Sequence, residues 1–323
     1  MQYRPSIIII GNGFDLAHGL KTSYDEYITN LITQCENGKS HLVTCDDFKE
    51  ISSPEISFQG LMFPSGFHAS LFLTHLFGSM KSRLTSNWCD IEQDYFDQIN
   101  EDINNWPHRI KEINKGFNEV KKDLEDYLAN EEKRQIKPVE QYRTFFQKLS
   151  GNCLVINFNY TDTPERLYGG GLNGNIQYIQ IHGKLHDVDN PIIFGYAADD
   201  SQTNKLLDKN DNEYLKNIKR FAYKRTNNET KIEKFLNNNS NNSVDCYILG
   251  HSCGLSDKLI LSTILNHRSI HNINIFYFND FEEGYYNSEI NIQRITRSDD
   301  TLSKIVAYPS SLRMPQYNDN LHK

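Results

Sequence analysis

The sequence is poor in cysteine and in positive charge, and it has no long apolar run at its start. Its six Cys fall at positions 35, 45, 89, 153, 246 and 253, and no two form a C-x-x-C pair. That spacing supplies neither a zinc knuckle nor a disulfide framework. Lys and Arg number 34 against 42 Asp and Glu, a net charge of −8 with His neutral. Coating nucleic acid needs a positive surface, so general nucleic-acid binding is excluded, although a local basic pocket is not. The opening holds only four consecutive isoleucines, Ile7 to Ile10. A membrane helix needs roughly 20 apolar residues, and a secretory leader needs a longer stretch with a small-residue cleavage site. The expectation is a cytoplasmic protein with no membrane partner. H-E-x-x-H is absent, and Gly250-His-Ser-Cys-Gly254 reads as a strand-end turn rather than a serine-hydrolase elbow.

What the chain does have is aromatic residues, 18 Phe and 18 Tyr in 323 residues. That argues against disorder and allows one large domain or two ordinary ones. Ser6-Ile-Ile-Ile-Ile10 is an unbroken β-branched run ended by Gly11, suited to a strand buried on both faces of a parallel sheet. The glycine loop Gly11-Asn-Gly-Phe-Asp15 follows, and Ser23-x-x-Glu26 is a capping box that predicts a helix start near Tyr24. Between about 35 and 150 a polar stretch (Glu36 to Pro54) gives way to helical periodicity around Phe67–Leu84, Cys89–Ile103, Ile110–Leu128 and Val139–Leu149. From Asn152 strands return at Cys153–Phe158, Ile176–Ile181, Pro191–Gly195, Val244–Leu249 and Ile273–Phe278, with helices at Thr163–Tyr168 and Leu255–His267. Asn237–Asn242 reads as a solvated turn, and the tail beyond Pro309 as irregular. This alternation predicts an α/β, Rossmann-like parallel sheet with helices on both faces. The expected organisation is a β/α core over 1–34 and 151–309, a large helical insertion over 35–150 and an irregular tail over 310–323.

Open parallel sheets bind ligands at the carboxyl ends of their strands. Four polar clusters lie at such ends: Gly11–Asp15, Asn157–Asp162, His182–Lys184 and Gly250–Asp257. Gly11 and Gly13 let backbone approach a phosphate closely, while the next helix offers N–H groups. The alternative is a tight turn, because Leu16 stands where a dinucleotide fingerprint has its third glycine. Asn159 and Asp162 belong either to a site or to a turn and helix cap. His182 is either a ligand-facing or a structural imidazole. Gly250–Ser252 is open to the reading of an ordinary turn, with Asp257 solvated on a helix face. Trp88 and Glu92 share a helical face, which reads as packing plus a solvated acid. Asp15, Glu92, Asp162 and Asp257 would hold Mg²⁺ only if they converged; no metal is expected.

Ile-Ile-Gly11-Asn-Gly-Phe-Asp-Leu-Ala-His-Gly-Leu20 with Thr22-Ser-Tyr24 closely resembles the opening of the AbiH family of bacterial phage abortive-infection proteins. Trp88-x-Asp-Ile-Glu92, Phe158-Asn-Tyr-Thr-Asp162, Ile181-His-Gly-Lys184 and Ile193-Phe-Gly195 also look like motifs of that family, in the same order. The family in turn resembles the sirtuin-like NAD-consuming fold. That resemblance implies Asn159 and His182 as the catalytic pair. It also implies Gly11, Asn12, Gly13, Phe14, Asp15, Tyr160, Asp162, Gly250, Ser252 and Asp257 as residues around the nucleotide. NAD is implied as substrate or ligand. Protein-deacetylating sirtuins usually carry a four-Cys zinc module, which the missing C-x-x-C rules out here, and Phe158 replaces a Thr common in sirtuin-like NAD hydrolases. The implied activity is therefore cleavage of NAD or a related nucleotide, gated by a second copy or a defence-system partner protein. A module that senses a nucleotide or ADP-ribose without turnover, and a metal-dependent nuclease, are the competing readings.

Overall fold

The computed structural model describes residues 4–44, 68–80, 88–149, 152–169, 176–197, 200–241 and 243–317. Its strands are β1 (Ser6–Ile10), β2 (Val43–Thr44), β3 (His68–Ala69), β4 (Cys153–Asn157), β5 (Ile176–Gln180), β6 (Val244–Leu249), β7 (Ile270–Tyr277) and β8 (Leu312–Arg313). Its helices are α1 (Asn12–Ala17), α2 (Tyr24–Glu36), α3 (Leu71–Met80), α4 (Trp88–Asn105), α5 (Ile110–Glu132), α6 (Glu140–Lys148), α7 (Thr163–Tyr168), α8 (Asp200–Leu207), α9 (Lys219–Ala222), α10 (Asn228–Asn238), α11 (Lys258–Leu265), α12 (Asn287–Thr296) and α13 (Asp299–Ser303). The chain divides into two compact units, one of residues 1–21, 128–193 and 220–323, the other of residues 22–127 and 194–219.

The first unit is built on a six-stranded sheet in the order β5-β4-β1-β6-β7-β8, every neighbouring pair parallel. The isoleucine run of β1 is completely buried because the sheet is covered on both faces. Ile7 and Ile9 pack with Leu154, Ile156 and Ile248, and with Ile232 of α10, Ile264 of α11 and Ile292 of α12. Ile8 and Ile10 face the other way, onto Phe14 of α1, Tyr142 and Phe146 of α6, and Tyr168 of α7. Each such side chain contributes roughly 1.5–3 kcal/mol of hydrophobic stabilisation, so the α/β architecture follows from this doubly covered strand.

The topology also sets which strand-end loops come together. From β1 the chain runs to β4 and β5 on one side, then returns to pair β6 with the opposite edge of β1. The connections leaving β1 and β6 therefore run to opposite sides of the sheet, a strand order at whose carboxyl ends open parallel sheets bind ligands.

The second unit is mostly helical. The capping box of α2 forms as the sequence predicts: Ser23 Oγ accepts the Glu26 N–H at 3.3 Å, and Glu26 Oε2 accepts the Ser23 N–H at 3.4 Å. Tyr27 of α2 donates its hydroxyl to Asp123 of α5 at 3.0 Å. Phe72, Tyr95, Phe117 and Phe194 form its aromatic core. No described helix is long and apolar enough to cross a membrane.

Three sequence expectations give way. Pro191–Gly195 is not a strand; it makes one isolated bridge, Lys184 with Pro191, because Gly183 turns the chain off the sheet first. The tail expected to be irregular supplies β8, a two-residue strand paired with Phe276 and Tyr277 and too short to leave a sequence pattern. The Asn237–Asn242 turn is partly helix, since α10 runs through Asn238 and Asn239 is buried with its amide on the Phe235 carbonyl at 2.8 Å. From residue 45 the polar stretch reaching Pro54 lies outside the described residues, as do the end of the helix expected to reach Leu84 and the side chain of Trp88.

Candidate functional site

β5 ends at Gln180, and two residues later His182 turns inward, beneath the strand ends. Its Nε2 lies 3.0 Å from Asp257 Oδ1 and 3.1 Å from the Tyr223 hydroxyl. The other carboxylate oxygen, Asp257 Oδ2, lies 3.4 Å from Nε2 of His251, which follows β6. The ring of Phe158, just past β4, stands edge-on to both imidazoles, at 5.2 Å from His182 and 4.4 Å from His251. His182, His251 and Asp257 are each buried. Asp257 is thus not a solvated helix-face acid. The 3₁₀ turn Leu255–Asp257 carries its side chain inward, where a carboxylate needs N–H donors and finds two imidazoles.

The backbone sets one tautomer. Cys253 N–H donates to His251 Nδ1 at 2.9 Å. An N–H can only donate, so Nδ1 is unprotonated and the His251 proton sits on Nε2, facing Asp257.

The Asn157–Asp162 segment staples strand ends together. Asn159 donates its amide to the Gly11 carbonyl at 3.1 Å, and its own N–H goes to Asn157 Oδ1 at 3.0 Å. Asn157 donates to the Thr161 carbonyl at 2.7 Å, and Gln180 donates to the carbonyls of Tyr160 and Thr161 at 2.9 Å each. Tyr160 hangs its hydroxyl on the Ile193 carbonyl at 3.3 Å, with its ring 6.0 Å from that of His182. Asp162 occupies the N-cap position of α7 but makes no side-chain cap bond; it pairs with Arg166 at 3.3 Å instead.

The glycine loop is committed to the neighbouring strand end. Gly11 N–H donates to the Leu249 carbonyl at 3.0 Å, and Gly13 N–H to the Gly250 carbonyl at 2.9 Å. A Cβ on Gly13 would stand 2.8 Å from the Gly250 Cα, and one on Gly250, whose φ is +66°, would overlap the Phe14 nitrogen. These glycines let two strand-end loops touch. Asn12 is half-buried in the first turn of α1. Phe14 is a fully buried core residue, 4.5 Å from the ring of His18 and 4.8 Å from that of Tyr142, so its side chain serves packing. Asp15 is buried too; Thr161 donates to its Oδ2 at 2.6 Å, and its Oδ1 has no partner among the described residues. Burial pushes the Asp15 carboxyl up to about 6, against the hydroxyls of Thr161 and Thr163, which pull it down.

Among the proposed residues the fold joins His182 to Asp257, Asn159 to Gly11, and Gly11 and Gly13 to the Gly250 turn. Ser252 stands apart, exposed; among the described residues its carbonyl accepts from the Asn291 amide at 2.8 Å. Gly250-His-Ser-Cys-Gly254 does carry the G-x-S-x-G spacing between a strand and a helix. Two features set it apart from a nucleophile elbow: the left-handed φ falls on Cys253, not Ser252, and no described imidazole bonds the Ser252 hydroxyl. His251, Tyr223 and Thr161 join this cluster without having been candidates in the sequence. His251 had a signal, lying directly after a strand end and its closing Gly250; Tyr223 had none.

The acids read as a potential Mg²⁺ set are each engaged separately. Glu92 is buried, not solvated: its Oε2 pairs with buried Lys219 at 2.9 Å and its Oε1 accepts the Gly195 N–H at 3.1 Å. Among the described residues no group of three or more His, Cys, Asp or Glu is arranged to hold a metal ion.

No curated protein matches the chain. The bacteriophage abortive infection AbiH family matches residues 7–279, which run from Ile7 of β1 through β7 and take in the glycine loop, Glu92, Asn159, His182 and the His251–Asp257 turn. The chain belongs to the bacteriophage abortive infection AbiH family.

Proposed function

We propose that this abortive-infection protein acts by hydrolysing the glycosidic bond of NAD or a related nucleotide. The observation that carries the reading is the buried His182–Asp257 pair, which joins the loop after β5 to the turn after β6 at the carboxyl ends of the sheet. The nicotinamide ring of NAD leaves from an oxocarbenium-like state and is already cationic, so it needs no strong acid. The site's tasks are to position water, take its proton and stabilise the developing positive charge. With its Nε2 proton shared between Asp257 and Tyr223, neutral His182 carries its lone pair on Nδ1. In the step, the C1′–N bond breaks and its electron pair neutralises the pyridinium nitrogen. Water oxygen bonds C1′, and its proton passes to His182 and then to solvent. The products are nicotinamide and ADP-ribose. Asn159, anchored through Nδ2 on Gly11, offers its amide oxygen to the water or a ribose hydroxyl. Unrestrained turnover would drain the host, so a second copy or a defence-system partner gates the site.

The test incubates purified protein with NAD, with and without phage lysate, and follows nicotinamide. Wild type releases it in at least one condition; His182→Ala and Asp257→Asn lose about a hundredfold or more, and Asn159→Ala loses most of the rate. Release that persists in His182→Ala, or NAD-dependent thermal stabilisation with no release, sinks the hydrolase reading, and the latter supports a sensor.

A further inference from the structure

We infer that His251 is a positioning residue for His182, a role that rests on the reading of His182 as the base. Asp257, Tyr223, Tyr160 and the edge of Phe158 face the His182 ring. Of these, only Asp257 is a carboxylate, and its direction decides which imidazole nitrogen keeps the proton. A carboxylate pinned at one oxygen can swing about its bond to the chain. Asp257 meets an imidazole at both, Oδ1 at 3.0 Å from His182 and Oδ2 at 3.4 Å from His251. His251 thereby holds the carboxylate so that Oδ1 meets His182 Nε2, which keeps the His182 lone pair on Nδ1.

A second observation points the same way. Cys253 adopts φ +53°, a left-handed conformation uncommon for a residue with a Cβ. In that conformation its N–H reaches back to Nδ1 of His251, two residues earlier. The turn therefore fixes the His251 tautomer with its Nε2 proton toward Asp257. Strained backbone persists where the surroundings over-determine it, and such positions cluster at functional sites. The chain of control runs from the Cys253 N–H through His251 and Asp257 to His182, all within residues that the fold buries.

Two variants separate positioning from packing. In His251→Asn the amide oxygen takes the Cys253 N–H in place of Nδ1, but the side chain is too short to reach Asp257. In His251→Gln the longer amide restores an N–H donor to Oδ2. Nitrogen NMR of the full chain reads the His182 tautomer directly, and thermal melts check that both variants fold. Wild type shows the Nε2–H tautomer. His251→Asn shows a mixture of both, with kcat for nicotinamide release down about tenfold and KM unchanged, and His251→Gln regains the wild-type tautomer and most of the rate. A folded His251→Asn that keeps the single tautomer overturns the proposal, and so does a His251→Gln that behaves like His251→Asn. If wild type releases no nicotinamide, the NAD reading falls alone, because the ring tautomer still decides what His251 does.

Discussion

Replacing Asp15 by Asn should stabilise this protein at neutral pH and leave it unchanged in mild acid. Burial raises the Asp15 carboxyl from 3.8 to about 6. Between those values the folded state holds a proton that the unfolded state has released. Stability from this group is therefore present below the lower value and is lost as pH rises through the window. The loss is about 2 pH units at about 1.4 kcal/mol each, or about 3 kcal/mol. Asp15 is almost wholly buried, so solvent does not screen that cost away. An Asn keeps an oxygen for the Thr161 hydroxyl and carries no charge at any pH.

The companion residue His18 slopes the other way. It is buried three residues along, with Nδ1–H on the Phe14 carbonyl and Nε2 on the Tyr168 hydroxyl, both at 2.7 Å. Burial lowers it from 6.5 to about 4. Across that window the unfolded state binds the extra proton, so stability rises with pH by about 3 kcal/mol. The two groups nearly cancel in the wild type, whose profile hides both. The measurement is urea unfolding, followed by far-ultraviolet circular dichroism, of wild type and Asp15→Asn at pH values from about 4 to about 7.5. The difference in unfolding free energy should grow from near zero to about 3 kcal/mol, with the variant the more stable, and the variant alone should show the rising slope of His18. Parallel curves, or a variant less stable at neutral pH, would refute the burial argument.

Two stability tests probe other parts of the fold. Gly250→Ala should cost roughly 1–2 kcal/mol for its left-handed conformation alone, and more for the overlap with the Phe14 nitrogen, whereas Gly254→Ala, with nothing nearer than 3.7 Å, should be close to neutral in the same melts. Lys219→Met strands the buried Glu92 carboxylate and should cost about 3–5 kcal/mol; adding Glu92→Gln, which still accepts the Gly195 N–H, should recover most of it. A double variant no better than the single one would mean that the pair's charge is not what the site requires.

The sequence shows the parts of this protein whose physics is local or periodic. Ile7 to Ile10 announces a doubly covered strand because only a parallel sheet with helices on both faces buries every side chain of such a run. The Ser23–Glu26 box announces α2 because both of its bonds lie within four residues. Strand-end polar clusters fall together at one end of the sheet because strand order does not change which end of a parallel sheet holds the loops. What stays out of reach is anything set by pairing across distance. Asp257 and Glu92 have ordinary helix-face surroundings in sequence, yet each is buried against a cation or donor far along the chain: His182 is 75 residues before Asp257, and Lys219 is 127 residues after Glu92. A buried acid is decided by its partner, and the partner is decided by topology. The glycine loop shows the same limit from the opposite direction. Its spacing is that of a phosphate cradle, but the small residues are needed because Gly13 and Gly250 come into contact, so an identical pattern answers to a backbone neighbour that only the β1–β6 pairing supplies. The candidate chemistry sits next to that contact: His251 follows Gly250 directly and lies against Phe158 and Asp257, whose other carboxylate oxygen meets His182.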